Sequence, residues 1–282
     1  MDKKIILITH NDMDGAGCAI LMKKHFHDLS VFYLDYDNID NFIMDNWEKC
    51  TYLIITDVSP KLETIEYINN KIKFKIIDHH KTSKTFTKYP NTTYDTKKSA
   101  TLLTFEWLLN KNKEINAYKD LSYAINDFDL WENRIKKSRA LNIIFTFYGS
   151  KKFTKRFLSN PNLSFEECEK TIITAETDNL NKYLNDALQN SQFLRDKNNI
   201  PFAIVFAEKY STELGDHVLT HSEAEYIIII NAQKKKVSLR SKKEFDVSIL
   251  AQANKGGGHK NAAGFLTDFD FSIKQFLSYI GI

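Results

Sequence analysis

The chain has 282 residues and a net charge of +3, from 39 Lys and Arg against 36 Asp and Glu. Hydrophobic residues make up 43% and charged ones 27%, the balance of a globular chain, which excludes collagen-like, low-complexity and broadly disordered classes. A charge so near neutral names no partner, whereas the nine glycines are few enough for their positions to be informative.

In chain order, residues 4–9 form a compact Ile/Leu run that predicts a buried strand, followed by a glycine-containing turn and an amphipathic stretch over 16–27. Runs at 31–36, 52–56 and 74–77 repeat the strand pattern, with helical segments near 39–48 and 61–70 between them. Strands separated by helices predict βαβ units and an α/β fold, a mostly parallel sheet flanked by helices. Beyond residue 97 helix dominates, over 99–109, 117–126, 136–148 and 164–195, the last stretch reading as linker helices. Strand-like runs resume at 202–207, 226–231 and 236–240, which predicts a second, smaller α/β domain. Lysines over 234–243 read as a solvated strand edge protected from aggregation.

Two glycine clusters, Gly15 with Gly17 and Gly256, Gly257 and Gly258 with Gly264, mark places where the backbone is expected to approach something closely. The first follows His10, Asp12 and Asp14 at the end of the first strand. Ligands of open α/β sheets bind at the carboxyl ends of strands, and residues two apart on an extended chain point the same way. One imidazole with two carboxylates makes a hard, mixed N/O site suited to Mn²⁺ or Mg²⁺ more than to structural zinc. A single Asp there would read as a helix N-cap.

Asp57 closes the run at 52–56, and Ser59-Pro60 behind it favours the cap reading for that residue alone. Asp78-His79-His80 close the run at 74–77. Adjacent histidines cannot both enter one site from an extended strand, so one is read as a ligand and the other as serving a different role. Three strands ending in Asp or His at one sheet edge is the signal. Asn126-Asp127-Phe128-Asp129-Leu130-Trp131 closes a predicted helix, and either Asp127 or Asp129 completes a second metal's shell. Gly256-Gly257-Gly258-His259 reads as a backbone nest for an anion with a histidine donor. Arg240 offers a planar fork for phosphate, against the bland reading of a surface arginine on an edge strand.

Taken together, His10-x-Asp12-x-Asp14-Gly15, Asp57, Asp78-His79-His80 and the late Gly256-Gly257-Gly258-His259 resemble, in order, the motifs of the DHH/DHHA1 phosphoesterase superfamily. The short length and the form Asp127-Phe128-Asp129-Leu130-Trp131 resemble its oligoribonuclease (nanoRNase, NrnB-like) branch. The resemblance implies a DHH catalytic metal-binding domain over 1–150, a helical linker over 151–199 and a DHHA1 substrate-binding domain over 200–282.

It also implies two Mn²⁺, with Mg²⁺ as the alternative. His10 and Asp12 would hold one ion, Asp14, His79 and Asp127 the other, and Asp57 would bridge them. Asp127 is preferred because its spacing to Trp131 matches the family's Asp-x-x-x-aromatic pattern; Asp129 stays as the alternative ligand. Asp78 would orient a histidine, His80 would face the scissile phosphate, and Arg240, Gly256, Gly257, Gly258 and His259 would bind substrate.

The implied activity is hydrolysis of short oligoribonucleotides to 5′-mononucleotides, by hydroxide generated from a water shared between metals about 3.5 to 4 Å apart. Implied alternatives are a 3′-phosphoadenosine 5′-phosphate phosphatase and a cyclic or linear dinucleotide phosphodiesterase. The alternative outside the enzymes is an RNA-binding module using the basic stretch, which leaves the strand-end carboxylates unexplained. No apolar run approaches the roughly 20 residues of a membrane span, and Cys18, Cys50 and Cys168 show no CxxC spacing. A cytoplasmic protein is therefore expected, acting on short RNAs or small nucleotides, with a homodimer left open.

Overall fold

A computed structural model describes residues 4–267; the part of the expected second domain beyond residue 267 lies outside them. The chain divides into two compact units between Ile173 and Thr174.

The first unit holds one sheet of β1 (Lys4–Thr9), β2 (Leu29–Tyr33), β3 (Cys50–Thr56), β4 (Lys73–Asp78) and β5 (Thr92–Tyr94). Its order is β2-β1-β3-β4-β5, and every pair is parallel. Its strands read as continuous apolar runs because both faces are covered. Leu7, Ile54 and Ile77 enter one core, while Ile6, Ile8, Leu53, Ile55, Phe74 and Ile76 enter the other.

The second of these cores is closed by Ile39 and Ile43 of α2 (Ile39–Asn46) and by Ile65 and Ile68 of α3 (Leu62–Ile68). The first is closed by α1 (Met13–His25), α4 (Ala100–Leu109), α5 (Lys119–Asp129) and α6 (Lys136–Ser159). Since α1 and α2 lie on opposite faces, the chain leaves β1 in one direction and returns to β3 in the other. The strand order therefore switches between β1 and β3, and their carboxyl ends frame the crevice where such sheets bind ligands.

Helix α1 is buried from Met13 to Met22, so its neighbours approach very closely. A Cβ at Gly15 would lie 2.0 Å from the His10 carbonyl oxygen, and one at Gly17 would lie 2.2 Å from Thr101 Oγ1. Gly15 thus lets the chain turn tightly from the end of β1 into α1, and Gly17 lets α1 pack closely against α4 and α5. Gly149, at φ 68°, breaks α6 into two helical halves.

In the second unit, β7 (Pro201–Phe206), α8 (Ser211–Thr220) and β8 (Tyr226–Asn231) make one parallel βαβ unit. Around it stand β6 (Gln192–Arg195), β9 (Lys236–Ser241), β10 (Gly257–His259) and β11 (Ala262–Leu266), in the order β10-β11-β9-β8-β7-β6. Helix α7 (Glu167–Gln189) runs across the division, and α9 (Ser248–Ala253) covers the β11 end through Ala251.

Three features differ from the sequence expectation. The segment 151–199 is shared between the two units: Phe153 and Phe157 are buried in the first core and Leu184 in the second. Residues 192–195, read as helix, form the edge strand β6, whose side chains are all exposed and so leave no burial pattern. Gly257–His259 form strand β10, not a nest-like loop. No helix among the described residues is long and apolar enough to cross a membrane.

Candidate metal centre

The carboxyl ends of β1, β3 and β4 bring their charged residues to one place. His10 follows β1, and its Nδ1 lies 2.7 Å from Asp12 Oδ2. The other Asp12 oxygen caps α1 by accepting the Gly15 N–H at 2.8 Å. Asp14 lies in the first turn of α1, so the three converge through a cap and a helix start instead of strand alternation. Buried Asp14 accepts the N–H groups of Ala100 and Thr101 at 2.7 and 2.9 Å, at the start of α4.

Asp57 directly follows β3, in the left-handed region at φ 58°, and is buried. Its Oδ1 lies 3.4 Å from His79 Nε2, and its Oδ2 is buried without a hydrogen-bond partner. His79 Nε2 is also 3.5 Å from Asp129 Oδ2 and 3.9 Å from Asp14 Oδ2.

Asp78, at the end of β4, is fully buried and works on its neighbours. Its Oδ2 accepts the hydroxyls of Ser59 and Ser83 at 2.6 and 2.5 Å, while Oδ1 meets His80 Nδ1 at 2.8 Å and accepts the His79 N–H at 2.7 Å. Burial acts to raise this carboxyl, yet the His80 hydrogen bond and charge, with the two serines, bring it down to about 2. Burial lowers His80 in turn, but Asp78 outweighs it and the net shift is upward.

Three overlapping groups have ligand atoms close enough for a shared ion: His10, Asp12 and Asp57; Asp14, His79 and Asp129; and Asp57, Asp78, His79 and His80. Asp129 therefore joins the centre and Asp127 does not, which corrects the preference for Asp127. Two positions on a helix are about 200° apart, so the end of α5 turns one carboxylate in and the other away. Asp127 is buried and already occupied, accepting the Arg134 N–H and the Ser138 hydroxyl at 2.7 Å each. Asp129, 22% exposed, keeps its Oδ2 buried and without a hydrogen-bond partner.

The charge balance of the centre is unfavourable without a cation. Among the described residues, the ion pairs of Asp12, Asp14, Asp57, Asp78 and Asp129 are all with histidines. Burial first, then the charges of Asp12, Asp14 and Asp129, push Asp57 well above the carboxylate range. Asp129 is raised by burial and then by Asp14 and Asp12. Unpartnered buried oxygens among hard donors fit a divalent cation.

The profile of the DHH family N-terminal domain matches residues 4–128, and that of the DHHA1 domain matches residues 174–278. The chain is a DHH-family phosphoesterase. Oligoribonuclease NrnB of Bacillus subtilis is 28% identical to it over 92% of this chain and 71% of its own length. A pGpG-specific phosphodiesterase from Vibrio cholerae shares the fold with a TM-score of 0.60 at 12% identity, covering 99% of this chain and 97% of that one. RecJ of Thermus thermophilus in complex with Mn²⁺ does so with a TM-score of 0.57 at 15% identity, over 94% of this chain and 50% of RecJ.

The DHHA1 domain of this phosphoesterase holds the remaining expected residues. Arg240 lies on β9, which is central, between β8 and β11, so the edge-strand reading fails. Its terminal nitrogens donate to Leu239 O and Thr212 Oγ1 at 2.9 and 3.0 Å, while Nε is buried without a partner. Ala262 pairs with Arg240 on one side and His259 on the other. Paired residues of antiparallel strands share a face, so Arg240 and His259 flank a methyl group in one row. Packing explains two of the three glycines on or beside β10: a Cβ would meet Gly264 O at 2.2 Å from Gly256 and Ala263 Cα at 2.5 Å from Gly258. Among the described residues nothing lies within 4 Å of a Cβ placed at Gly257.

Sequence reasoning missed several residues around the metal centre. Asp35 Oδ1 lies 3.5 Å from His10 Nε2. Asn11 accepts the Ser150 hydroxyl at the α6 break, and Tyr36 stands between His10 and His80. Asp35 and Tyr36 follow β2, so the reasoning applied to the other strand ends reaches them as well.

Proposed function

We propose that this phosphoesterase is a manganese-dependent phosphodiesterase that cuts short oligoribonucleotides to 5′-mononucleotides. The observation that carries this reading is the pair of buried oxygens without hydrogen-bond partners, Asp57 Oδ2 and Asp129 Oδ2, in a cluster whose carboxylates, among the described residues, form ion pairs with histidines alone. In this reading His10, Asp12 and Asp57 hold one ion and Asp14, His79 and Asp129 the other, with Asp57 beside both sets. Bound divalent cations would supply Lewis acidity to a phosphoryl oxygen and acidify a water.

The side chains contribute orientation and proton control. Asp78 fixes His80 through Nδ1, which leaves Nε2 as the ring's remaining donor. Its raised affinity for a proton suits it to donate to a phosphoryl oxygen. In the DHHA1 domain, Arg240 and His259 on either side of Ala262 supply a planar fork and an imidazole for a further phosphate. The sequence similarity to NrnB over 92% of the chain supports oligoribonucleotides as the substrate class.

The test is incubation with end-labelled RNAs from dimer to pentamer in Mn²⁺, alongside short DNAs, linear and cyclic dinucleotides and 3′-phosphoadenosine 5′-phosphate. Mononucleotide release from the short RNAs is expected, lost on chelation and restored by Mn²⁺. Turnover confined to one of the other substrates would replace the proposed substrate, and undiminished RNA binding without turnover would favour a binding module.

A further inference from the structure

The loop between β2 and α2 places an aromatic ring at the metal centre that the reading above leaves unused. The Tyr36 ring centroid lies 5.7 Å from that of His10 and 6.2 Å from that of His80, nearly perpendicular to the latter at 88°. These two histidines come from different strand ends, and Tyr36 spans them. The residue is 45% exposed, so part of its ring remains open beside the cluster. Among the described residues no hydrogen bond engages its hydroxyl.

The surroundings select what that ring can accept. Asp35 precedes Tyr36 and Asp37 follows it, Asp35 reaching His10 Nε2. The Asp35 carboxylate beside His10 repels a second phosphate there, whereas an uncharged planar group can stack. A nucleotide carries such a group one sugar away from its phosphorus. Tyr36 in turn stands one side chain away from the ligand atoms.

We propose that Tyr36 is the stacking platform for the nucleobase adjoining the scissile phosphate, which makes the centre selective for base-bearing phosphodiesters. The inference rests on the reading of the centre as a nucleotide phosphodiesterase. Every base has a π-face, so the platform favours bases over none without choosing among the four.

The experiment compares wild type, Tyr36→Phe and Tyr36→Leu on a diribonucleotide and on its abasic analogue in Mn²⁺, with melting temperatures taken to verify folding. Tyr36→Phe should match wild type. Tyr36→Leu should raise the diribonucleotide KM by about tenfold or more at unchanged kcat and leave abasic turnover as it was. Equal losses in Tyr36→Phe and Tyr36→Leu would assign the role to the hydroxyl and overturn the stacking proposal. So would an unchanged KM in Tyr36→Leu, or an equal effect on the abasic analogue. Should wild type fail to cut the diribonucleotide, the functional reading falls by itself, and binding of 5′-AMP against ribose 5-phosphate decides the stacking. Tyr36→Leu must then weaken the first alone; weakening of both or of neither refutes the proposal.

Discussion

Asp57 Oδ1 lies 3.4 Å from His79 Nε2, while the other oxygen of the same carboxylate is buried without a partner. The residue sits at φ 58° and is held among Asp12, Asp14 and Asp129, whose charges together with burial raise its pKa. Backbone strain and a poorly solvated carboxylate make this position costly in the metal-free protein.

Asp57→Asn keeps a side chain that tolerates the left-handed region and removes the charge. We expect the metal-free variant to gain about 1 to 2 kcal/mol of stability over metal-free wild type, and to lose turnover. Mn²⁺ should raise the melting temperature of wild type but not of the variant. Paired thermal melts with and without Mn²⁺ check this; a variant that melts below wild type without metal would refute the argument.

Asp127 and Asp129 give opposite outcomes despite their closeness in sequence. Asp127→Ala strands the Arg134 N–H and the Ser138 hydroxyl, which the carboxylate now accepts. A loss of about 2 to 3 kcal/mol of stability is expected. Asp129→Ala relieves a crowded carboxylate, so its metal-free stability should hold or rise while turnover and the Mn²⁺ response disappear. Urea titration and Mn²⁺-dependent activity of both variants distinguish the roles, and the reverse pattern would return Asp127 to the metal.

The same pair shows where sequence reading stops. Runs such as Lys4–Thr9 and Lys73–Asp78 are legible because a strand covered on both faces must be apolar throughout, and the Asp or His behind each run then falls at one sheet edge. Which of two aspartates faces that edge depends on the phase of α5, and phase is fixed by packing against α4 and α6. Likewise, Ser59 and Ser83 meet Asp78 only through the fold. The glycines on or beside β10 suggested an anion-holding nest, yet two of them are explained by the close backbone of β11. Phe153 and Phe157 read as linker because an amphipathic face does not say which core it will enter.

In the DHHA1 domain, a Cβ at Gly215 of α8 would lie 2.5 Å from Arg240 Cγ and 2.8 Å from its Cβ. Those atoms are the rigid base of the arginine, so Gly215→Ala must displace the guanidinium from Thr212. If Arg240 holds substrate phosphate, KM for short RNA should rise about tenfold, the worth of one charge-assisted hydrogen bond, with little change in kcat. A double-mutant cycle checks the route: in an Arg240→Ala background the Gly215 substitution should have no further effect on KM. An additive effect would show that Gly215 acts independently of the arginine.

Lys75 on β4 yields a pH prediction separate from the metal centre. It is 7% exposed, its Nζ donates to Thr93 Oγ1 at 2.7 Å, and it lies 5.4 Å from the Trp107 ring. Burial, then the nearby Lys111 charge, lowers its pKa from 10.5 to about 8. Between these values the unfolded chain binds more protons than the folded one, so this group's contribution to stability increases with pH. Below about pH 8 the penalty is complete and constant; by about pH 10.4 it is gone. Lys75→Met should therefore be more stable than wild type by about 2 kcal/mol at neutral pH. That advantage should shrink across the alkaline window, as measured by urea titration at stepped pH. A constant difference across the window would show that Lys75 is charged at no cost in the folded protein, binding its proton as tightly there as in the unfolded chain.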